Sequence, residues 1–102
     1  MGNKIALVTG ASDGIGLEFG DILAAQGYDL VLVARREDKL NEVSEKLSQT
    51  YDIKCTVMAT DLSEPQAAQT LFQRTCDQNL QIDFLVNNAG LLHNGFFTEL
   101  SL

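Results

Sequence analysis

The chain has 102 residues, of which 45% are hydrophobic and 21% charged, so it is long enough for one domain and too apolar for a disordered protein. Seven basic and fourteen acidic residues give a formal net charge of −7, the wrong sign for a protein that binds nucleic acid through its phosphates. The two cysteines, Cys55 and Cys76, belong to no C-x-x-C motif or histidine cluster, which argues against zinc and disulfides and predicts a cytoplasmic location. The sequence offers no segment apolar enough to predict a membrane span.

Short apolar runs predict four β-strands, at residues 5–9, 30–33, 56–59 and 84–86. Apolar residues at helical spacing predict a helix after each of the first three strands. The inward-facing residues are predicted to be Ile15, Phe19, Ile22 and Leu23 in the first helix, Leu40, Val43 and Leu47 in the second, and Ala68, Leu71, Phe72 and Thr75 in the third. Gly27 is the predicted C-terminal cap of the first helix, and residues 63–66 are predicted to form a capping box that opens the third.

Alternating strands and helices predict an α/β fold with a doubly wound parallel sheet of the Rossmann type, covered by helices on both faces. Residues 1–102 are predicted to form this one domain, without an internal linker or repeat. The first two strand–helix units correspond to a nucleotide-binding half of such a fold.

The junction between the first strand and first helix reads TGASDGIG. Its glycines are Gly10, Gly14 and Gly16, which predict a tight turn, a close approach of backbone to a pyrophosphate, and close helix–sheet packing. Ser12 and Ile15 are predicted to supply hydroxyl or backbone donors, and Asp13 to turn its side chain away from the anion. The alternative is an ordinary glycine-rich turn with no ligand.

Two arginines, Arg35 and Arg36, follow the second strand, where a NAD site commonly has a carboxylate and an NADP site an arginine. We therefore predict NADP as cofactor, with Arg35 the better candidate for the 2′-phosphate. In the rival interpretation, Glu37 binds the ribose of NAD. A further alternative is that both arginines are solvated and offset by Glu37 and Asp38.

Three motifs together resemble the short-chain dehydrogenase/reductase family. They are Thr9-Gly10-x-x-x-Gly14-Ile15-Gly16, Asp61-Leu62 and Asn87-Asn88-Ala89-Gly90. The resemblance implies an NADP-linked oxidoreductase of carbonyl and alcohol groups, with Asp61 at the adenine, Leu62 against its ring, and Asn88, Ala89 and Gly90 along the cofactor ribose. We expect Asn87 to act mainly in satisfying backbone groups at the strand end.

The catalytic residues of that family are absent from the sequence. Its proton-transferring Tyr-x-x-x-Lys pair has no counterpart, because Tyr28 and Tyr51 are followed four positions later by Leu32 and Cys55. Both tyrosines are predicted to be packing residues. His93, the one histidine, is predicted to lie in a loop without a catalytic role, so no catalytic residue is assigned.

The resemblance favours the hypothesis that residues 1–102 are the N-terminal, cofactor-binding part of a longer reductase, inactive without the rest and homo-oligomeric at full length. With strand order 3-2-1-4, the fourth strand is expected to be an uncovered apolar edge. The alternatives are a free-standing NADP(H) sensor that catalyses nothing and an interaction module. The substrate stays open among steroids, fatty acyl compounds, sugars and small ketones.

Overall fold

The described part of the chain, residues 3–12, 14–61, 64–87 and 99–101 of a computed structural model, forms eight secondary-structure elements. The strands are β1 (Ile5–Thr9), β2 (Asp29–Ala34), β3 (Cys55–Ala59), β4 (Phe84–Asn87) and β5 (Glu99–Ser101), and the helices are α1 (Gly14–Ala25), α2 (Glu37–Tyr51) and α3 (Ala67–Asp77). The four strands and three helices predicted from the apolar pattern are all present.

All strand pairs of the sheet are parallel, and the strand order is β3-β2-β1-β4-β5. The chain winds outward from β1 to β3 and then returns across the sheet to β4. This order confirms the predicted doubly wound fold. It places a change of winding direction between β1 and β4, where such folds bind ligands at the carboxyl ends of the strands.

The short strand β5 was not predicted. Glu99–Ser101 pairs with Leu85, Val86 and Asn87, so the expectation that β4 would be an uncovered edge is wrong. The strand escaped prediction because it has three residues and one apolar side chain, too few for a period to be recognised.

Two apolar layers lie on opposite faces of the sheet. One layer joins β1, β2 and Val86 of β4 to Leu23 and Ala24 of α1 and to Leu40 and Leu47 of α2. The other joins alternate residues of the same strands to Ala67 and Leu71 of α3. Both faces are covered, which explains why the central strands are apolar at nearly every position. Within the described ranges, no helix is both long and apolar enough to cross a membrane.

The buried face of helix α1 agrees only in part with the predicted one: Leu23 is buried and Phe19 packs partly buried against the core, as predicted. Its buried residues are Gly16, Gly20, Leu23 and Ala24. Ile15 and Ile22, which were predicted to face inward, are 57% and 51% exposed. The small residues allow the helix axis to approach its neighbours closely: a Cβ added at Gly20 would lie 3.6 Å from Leu47 Cδ1. Which face of α1 is buried therefore depends on how closely the helix axis can approach its neighbours, and not only on the size of its side chains.

The start of α3 also differs from the prediction. The helix begins at Ala67, and Gln66 occupies the N-cap position without a side-chain capping hydrogen bond. Ser63, which lies outside the described residues, is therefore not the N-cap that the predicted capping box requires. The segment before the helix instead forms backbone turns, in which Glu64 N donates to Asp61 O at 3.2 Å and Ala67 N to Glu64 O at 3.1 Å. The single proline, Pro65, lies in this turn.

Two carboxylates join neighbouring strands at the amino-terminal edge of the sheet. Asp83 Oδ2 accepts from Ile5 N at 2.9 Å, and Asp83 N donates to Ile5 O at 2.8 Å. Asp29 Oδ1 accepts from Lys54 N at 3.0 Å, which links β2 to the start of β3. The amino-terminal edge is thus closed by the chain's own hydrogen bonds, and the candidate binding residues gather at the other edge.

Candidate functional site

The segments that follow β1, β2 and β3 emerge together at the carboxyl edge of the sheet, because the strands are parallel. Gly10 follows β1, Arg35 follows β2, and Asp61 lies two residues after β3. The structure thus brings three predicted binding segments to one edge. Six residues named from the sequence lie outside the described ranges: Asp13, Leu62, Asn88, Ala89, Gly90 and His93.

The loop between β1 and α1 has a backbone that glycine favours. Gly10 and Gly14 have φ angles of 64° and 60°, in the left-handed region. Between them Ala11 is fully buried, and its N–H donates to Val33 O at 3.2 Å, which ties the loop to the end of β2. Apart from its chain neighbours and the helix's own backbone, no atom of the described residues lies within 4 Å of the place where a Cβ at Gly14 would stand. The backbone at Gly14 therefore faces open space.

Helix α1 begins at this loop. Gly14, Ile15 and Gly16 form its first turn, where backbone N–H groups have no partner within the helix. The first turn, from Gly14 onward, contains no acidic side chain. The positive end of the helix dipole attracts anions at this place. Ser12, two residues before the helix, is half-buried. These features together can bind an anionic group.

Thr9 connects the two strands at the change of winding direction. Its buried side chain donates from Oγ1 to Val86 O at 3.3 Å, joining the carboxyl ends of β1 and β4. The sequence motif includes Thr9, but no role was predicted for its hydroxyl. The sequence did contain a signal for such a role, because Thr9 is a polar residue at the end of the otherwise apolar strand β1.

The two arginines after β2 differ in their contacts. Arg36 occupies the N-cap position of α2, and its Nη2 lies 2.9 Å from Asp38 Oδ2. The hydrogen bond from Arg36 lowers the pKa of Asp38. Arg35 is exposed and, within the described ranges, forms no ion pair. The alternative in which an arginine is solvated and offset by a neighbouring carboxylate therefore describes Arg36 better than Arg35.

The end of β3 continues this edge. Thr60 N donates to Ala34 O at 2.8 Å, which carries the ladder between β2 and β3 one residue past the strand. Asp61 follows and is half-buried. Beside it lies a cavity of about 500 Å³ between the end of β3 and the start of α3.

Arg74 of α3 lines that cavity and was missed from the sequence. Its Nη1 donates to Ala59 O at 3.0 Å and to Thr60 Oγ1 at 3.1 Å. A signal was available, since Arg74 lies three residues after Leu71 and seven after Ala67, both buried on α3. A cation within a buried helical stripe indicates a specific partner.

Both tyrosines pack, as predicted. The rings of Tyr28 and Phe84 lie 6.1 Å apart between centroids. The Tyr51 hydroxyl donates to Asp21 Oδ1 at 2.8 Å, joining α2 to α1, and this hydrogen bond raises the pKa of Tyr51. Neither has the lysine four residues later that the family's proton donor requires.

The arrangement fits an anionic dinucleotide. Glycine backbone facing open space, the start of a helix and an exposed guanidinium lie at the same sheet edge. Comparison with known proteins agrees with this fit: residues 4–102 match the family described as short chain dehydrogenase. The chain belongs to the short-chain dehydrogenase family of oxidoreductases.

Individual family members share much of the sequence. The chain is 42% identical over 90 residues to the very-long-chain 3-oxoacyl-CoA reductase of Candida glabrata, an alignment that covers 87% of this chain and 25% of that protein. The L-sorbose reductase of Gluconobacter frateurii, solved with NADPH and L-sorbose, superposes with a TM-score of 0.81 at 33% identity, over 91% of this chain and 35% of that one.

The Thermococcus sibiricus alcohol dehydrogenase, solved with 5-hydroxy-NADP, gives a TM-score of 0.79 at 32% identity, over 85% of this chain and 37% of that one. The chain thus spans a quarter of the length of the yeast reductase and just over a third of each of the two solved structures.

Proposed function

We propose that residues 1–102 are the N-terminal, cofactor-binding part of an NADP(H)-dependent short-chain oxidoreductase that acts on a carbonyl or alcohol group. The observation that carries the proposal is the glycine-lined start of α1 beside Arg35 at the carboxyl edge. Support comes from the bacterial and archaeal relatives solved with NADPH and 5-hydroxy-NADP.

In this proposal each predicted site residue has a role toward the cofactor. The backbone of Gly10, Gly14, Ile15 and Gly16 and the hydroxyl of Ser12 bind the diphosphate, while Asp13 turns its carboxylate away. Arg35 binds the 2′-phosphate, with Arg36 a weaker second contact because Asp38 already engages it. The backbone around Asn88, Ala89 and Gly90 lies along the ribose, and Asp61 and Leu62 contact the adenine.

The nicotinamide ring supplies the hydride chemistry, and this chain supplies its position. No Tyr-x-x-x-Lys pair occurs in the sequence, so the chain has no proton donor of the family's kind. We therefore expect the 102-residue chain to bind NADPH, although more weakly than a whole reductase, and to catalyse no turnover. A cytoplasmic location and a homo-oligomeric full-length protein stay predictions from the sequence.

The substrate class is left open by the relatives. The names of the two reductases indicate a very-long-chain acyl thioester in one case and a sugar in the other, yet both resemble this chain over most of its length. Cofactor binding, and not substrate binding, is therefore the function that these residues can be tested for.

Thermal unfolding with NADPH and with NADH tests the cofactor assignment, because a ligand that binds only the folded state raises the melting temperature. We expect a larger rise with NADPH. Arg35→Ala should remove most of the difference, since a charge-assisted bond to a phosphate is worth about 1.5–3 kcal/mol. Lys54→Ala is the matched control: it removes one positive charge at the amino-terminal edge of the sheet.

A larger rise with NADH, or an Arg35→Ala variant that keeps its NADPH preference, would contradict the 2′-phosphate assignment. The first result would favour the rival in which Glu37, the first residue of α2, binds the ribose of NAD. The sensor alternative shares the binding but has no catalytic partner segment. It is distinguished by whether the gene encodes a Tyr-x-x-x-Lys pair downstream of Leu102.

A further inference from the structure

Arg74 holds the peptide at which β3 ends. In the order of the sheet β3 is the outermost strand, so its outward-facing backbone groups have no neighbouring strand. Thr60 N points inward and donates to Ala34 O. The Ala59 carbonyl belongs to the same trans peptide and points the opposite way, where Arg74 Nη1 donates to it at 3.0 Å.

The same guanidinium also fixes the Thr60 side chain. Arg74 Nη1 donates to Thr60 Oγ1 at 3.1 Å, and Thr60 Oγ1 in turn donates to Met58 O at 3.3 Å. Both contacts come from a half-buried side chain on α3, whose neighbours Leu71 and Thr75 are buried against the sheet. The end of β3 is thereby attached to a rigid helix on one side and to β2 on the other.

Asp61 is the next residue along the chain. Its position follows from the Thr60 peptide before it and from the turn after it, in which Glu64 N donates to Asp61 O at 3.2 Å. Asp61 and Arg74 both line the same cavity of about 500 Å³. Displacing the guanidinium would therefore release one support of the segment that carries the Asp61 carboxylate.

We propose that Arg74 is a positioning residue: it aligns residues 60–61 so that Asp61 accepts a hydrogen bond from the 6-amino group of the cofactor's adenine. The inference rests on the proposed NADP(H) function and adds to it a specificity device that acts from α3 across the end of β3. In this proposal Arg74 acts through the Ala59 carbonyl and the Thr60 hydroxyl, and not through a contact of its own with the cofactor. Its effect is confined to the adenine end of the cofactor.

The test compares NADPH with its deamino analogue, in which hypoxanthine replaces adenine and the acceptor of the 6-amino hydrogen bond loses its donor. We expect the unchanged chain to prefer NADPH about tenfold, the equivalent of one good hydrogen bond. Arg74→Met keeps the length and packing of the side chain but removes the donors, and should reduce the preference to about twofold or less. Arg74→Lys retains a cationic donor and should restore part of it.

Dissociation constants are measured well below the melting temperature of each variant, so that a loss of stability does not enter the ratio. Lys54→Ala is again the charge-matched control and should keep the full preference. A preference that Arg74→Met leaves intact would overturn the role of Arg74 alone. No preference in the unchanged chain would overturn the adenine contact as well, and no binding of either ligand would overturn the proposed function itself.

Discussion

Gly14 is expected to be needed for two separate reasons. One is its backbone conformation, and the other is that it leaves the neighbouring space free of a side chain. Its φ of 60° disfavours any side chain, and beyond its own helix and chain neighbours no atom in the described part of the chain lies within 4 Å of an added Cβ. Gly14→Ala should therefore lower the free energy of unfolding by about 1–2 kcal/mol through backbone strain. It should also weaken NADPH binding, because the new methyl group projects into the space proposed for the diphosphate. Urea unfolding and an NADPH titration measure the two effects.

Gly27 is the matched control for this substitution. It follows the other end of α1 and has a φ of 91°. Among the residues that the structure describes, an added Cβ there would likewise have no atom within 4 Å other than those of its chain neighbours. Gly27→Ala should cost a similar amount of stability and leave NADPH affinity unchanged. Equal losses of affinity in both variants would show that strain alone weakens binding, and the diphosphate assignment would lose its support.

Cys55 predicts a dependence of stability on pH. Burial raises the pKa of its thiol to about 11, against a hydrogen bond from Ser44 that lowers it. The unfolded thiol loses its proton at lower pH than the folded one, so the stabilising contribution is present below about pH 9 and is lost as the pH rises toward 11. Cys55→Ala should make the free energy of unfolding fall less steeply across this window. Identical slopes in both proteins would refute the assignment.

Single residues also show which features of the candidate site can be predicted from the sequence and which cannot. Gly10, Gly14 and Arg35 were predictable because each follows a recognisable apolar strand, and parallel strands bring their carboxyl ends to one edge. For Arg74 the spacing on α3 indicates only that the cation has a partner, and it does not reveal which backbone carbonyl lies opposite. The hydroxyl of Thr9 is a similar case, since its acceptor, Val86 O, lies 77 positions away in sequence.

Helix α1 offers a test of packing at Gly20. An added Cβ would lie 3.6 Å from Leu47 Cδ1, 3.9 Å from Leu30 Cδ1 and 4.0 Å from Leu32 Cδ2, all ordinary van der Waals distances. Gly20→Ala should therefore stabilise the fold by up to about 1 kcal/mol, the helix-propensity difference between the two residues. Gly20→Leu should destabilise it, since the larger side chain cannot fit against Leu47. A destabilised alanine variant in urea unfolding would contradict this description of the helix contact.

The elements themselves were largely predictable, and the errors have physical causes. Uninterrupted apolar runs marked the strands because both faces of the sheet are covered. On α1 the prediction held for Leu23 and Phe19 but was wrong for Ile15 and Ile22. Apolar spacing weights large side chains, whereas the close approach of the helix to the core is at Gly20. The predicted start of α3 was wrong because the N–H groups of Glu64 and Ala67 form turn hydrogen bonds before the helix, which begins only at Ala67.

Across the whole molecule the two edges of the sheet differ in character. At the amino-terminal edge, Asp29 and Asp83 accept backbone N–H groups of neighbouring segments and close the fold. At the carboxyl edge lie the glycine loop, Arg35 and Asp61, the residues that we propose bind the cofactor. This division is what a chain needs if it is to position a cofactor, and it is present even though the chain spans only a quarter of the yeast reductase.

Amide chemical-shift mapping with NADPH tests the central claim most directly, namely that the backbone at the start of α1 binds the cofactor diphosphate. We predict saturable shifts in the amides of Gly14, Ile15 and Gly16, joined by Arg35, while Asp29 and Asp83 at the opposite edge stay unchanged. Saturable binding that leaves the first turn of α1 unshifted, or no binding at all, would contradict the account.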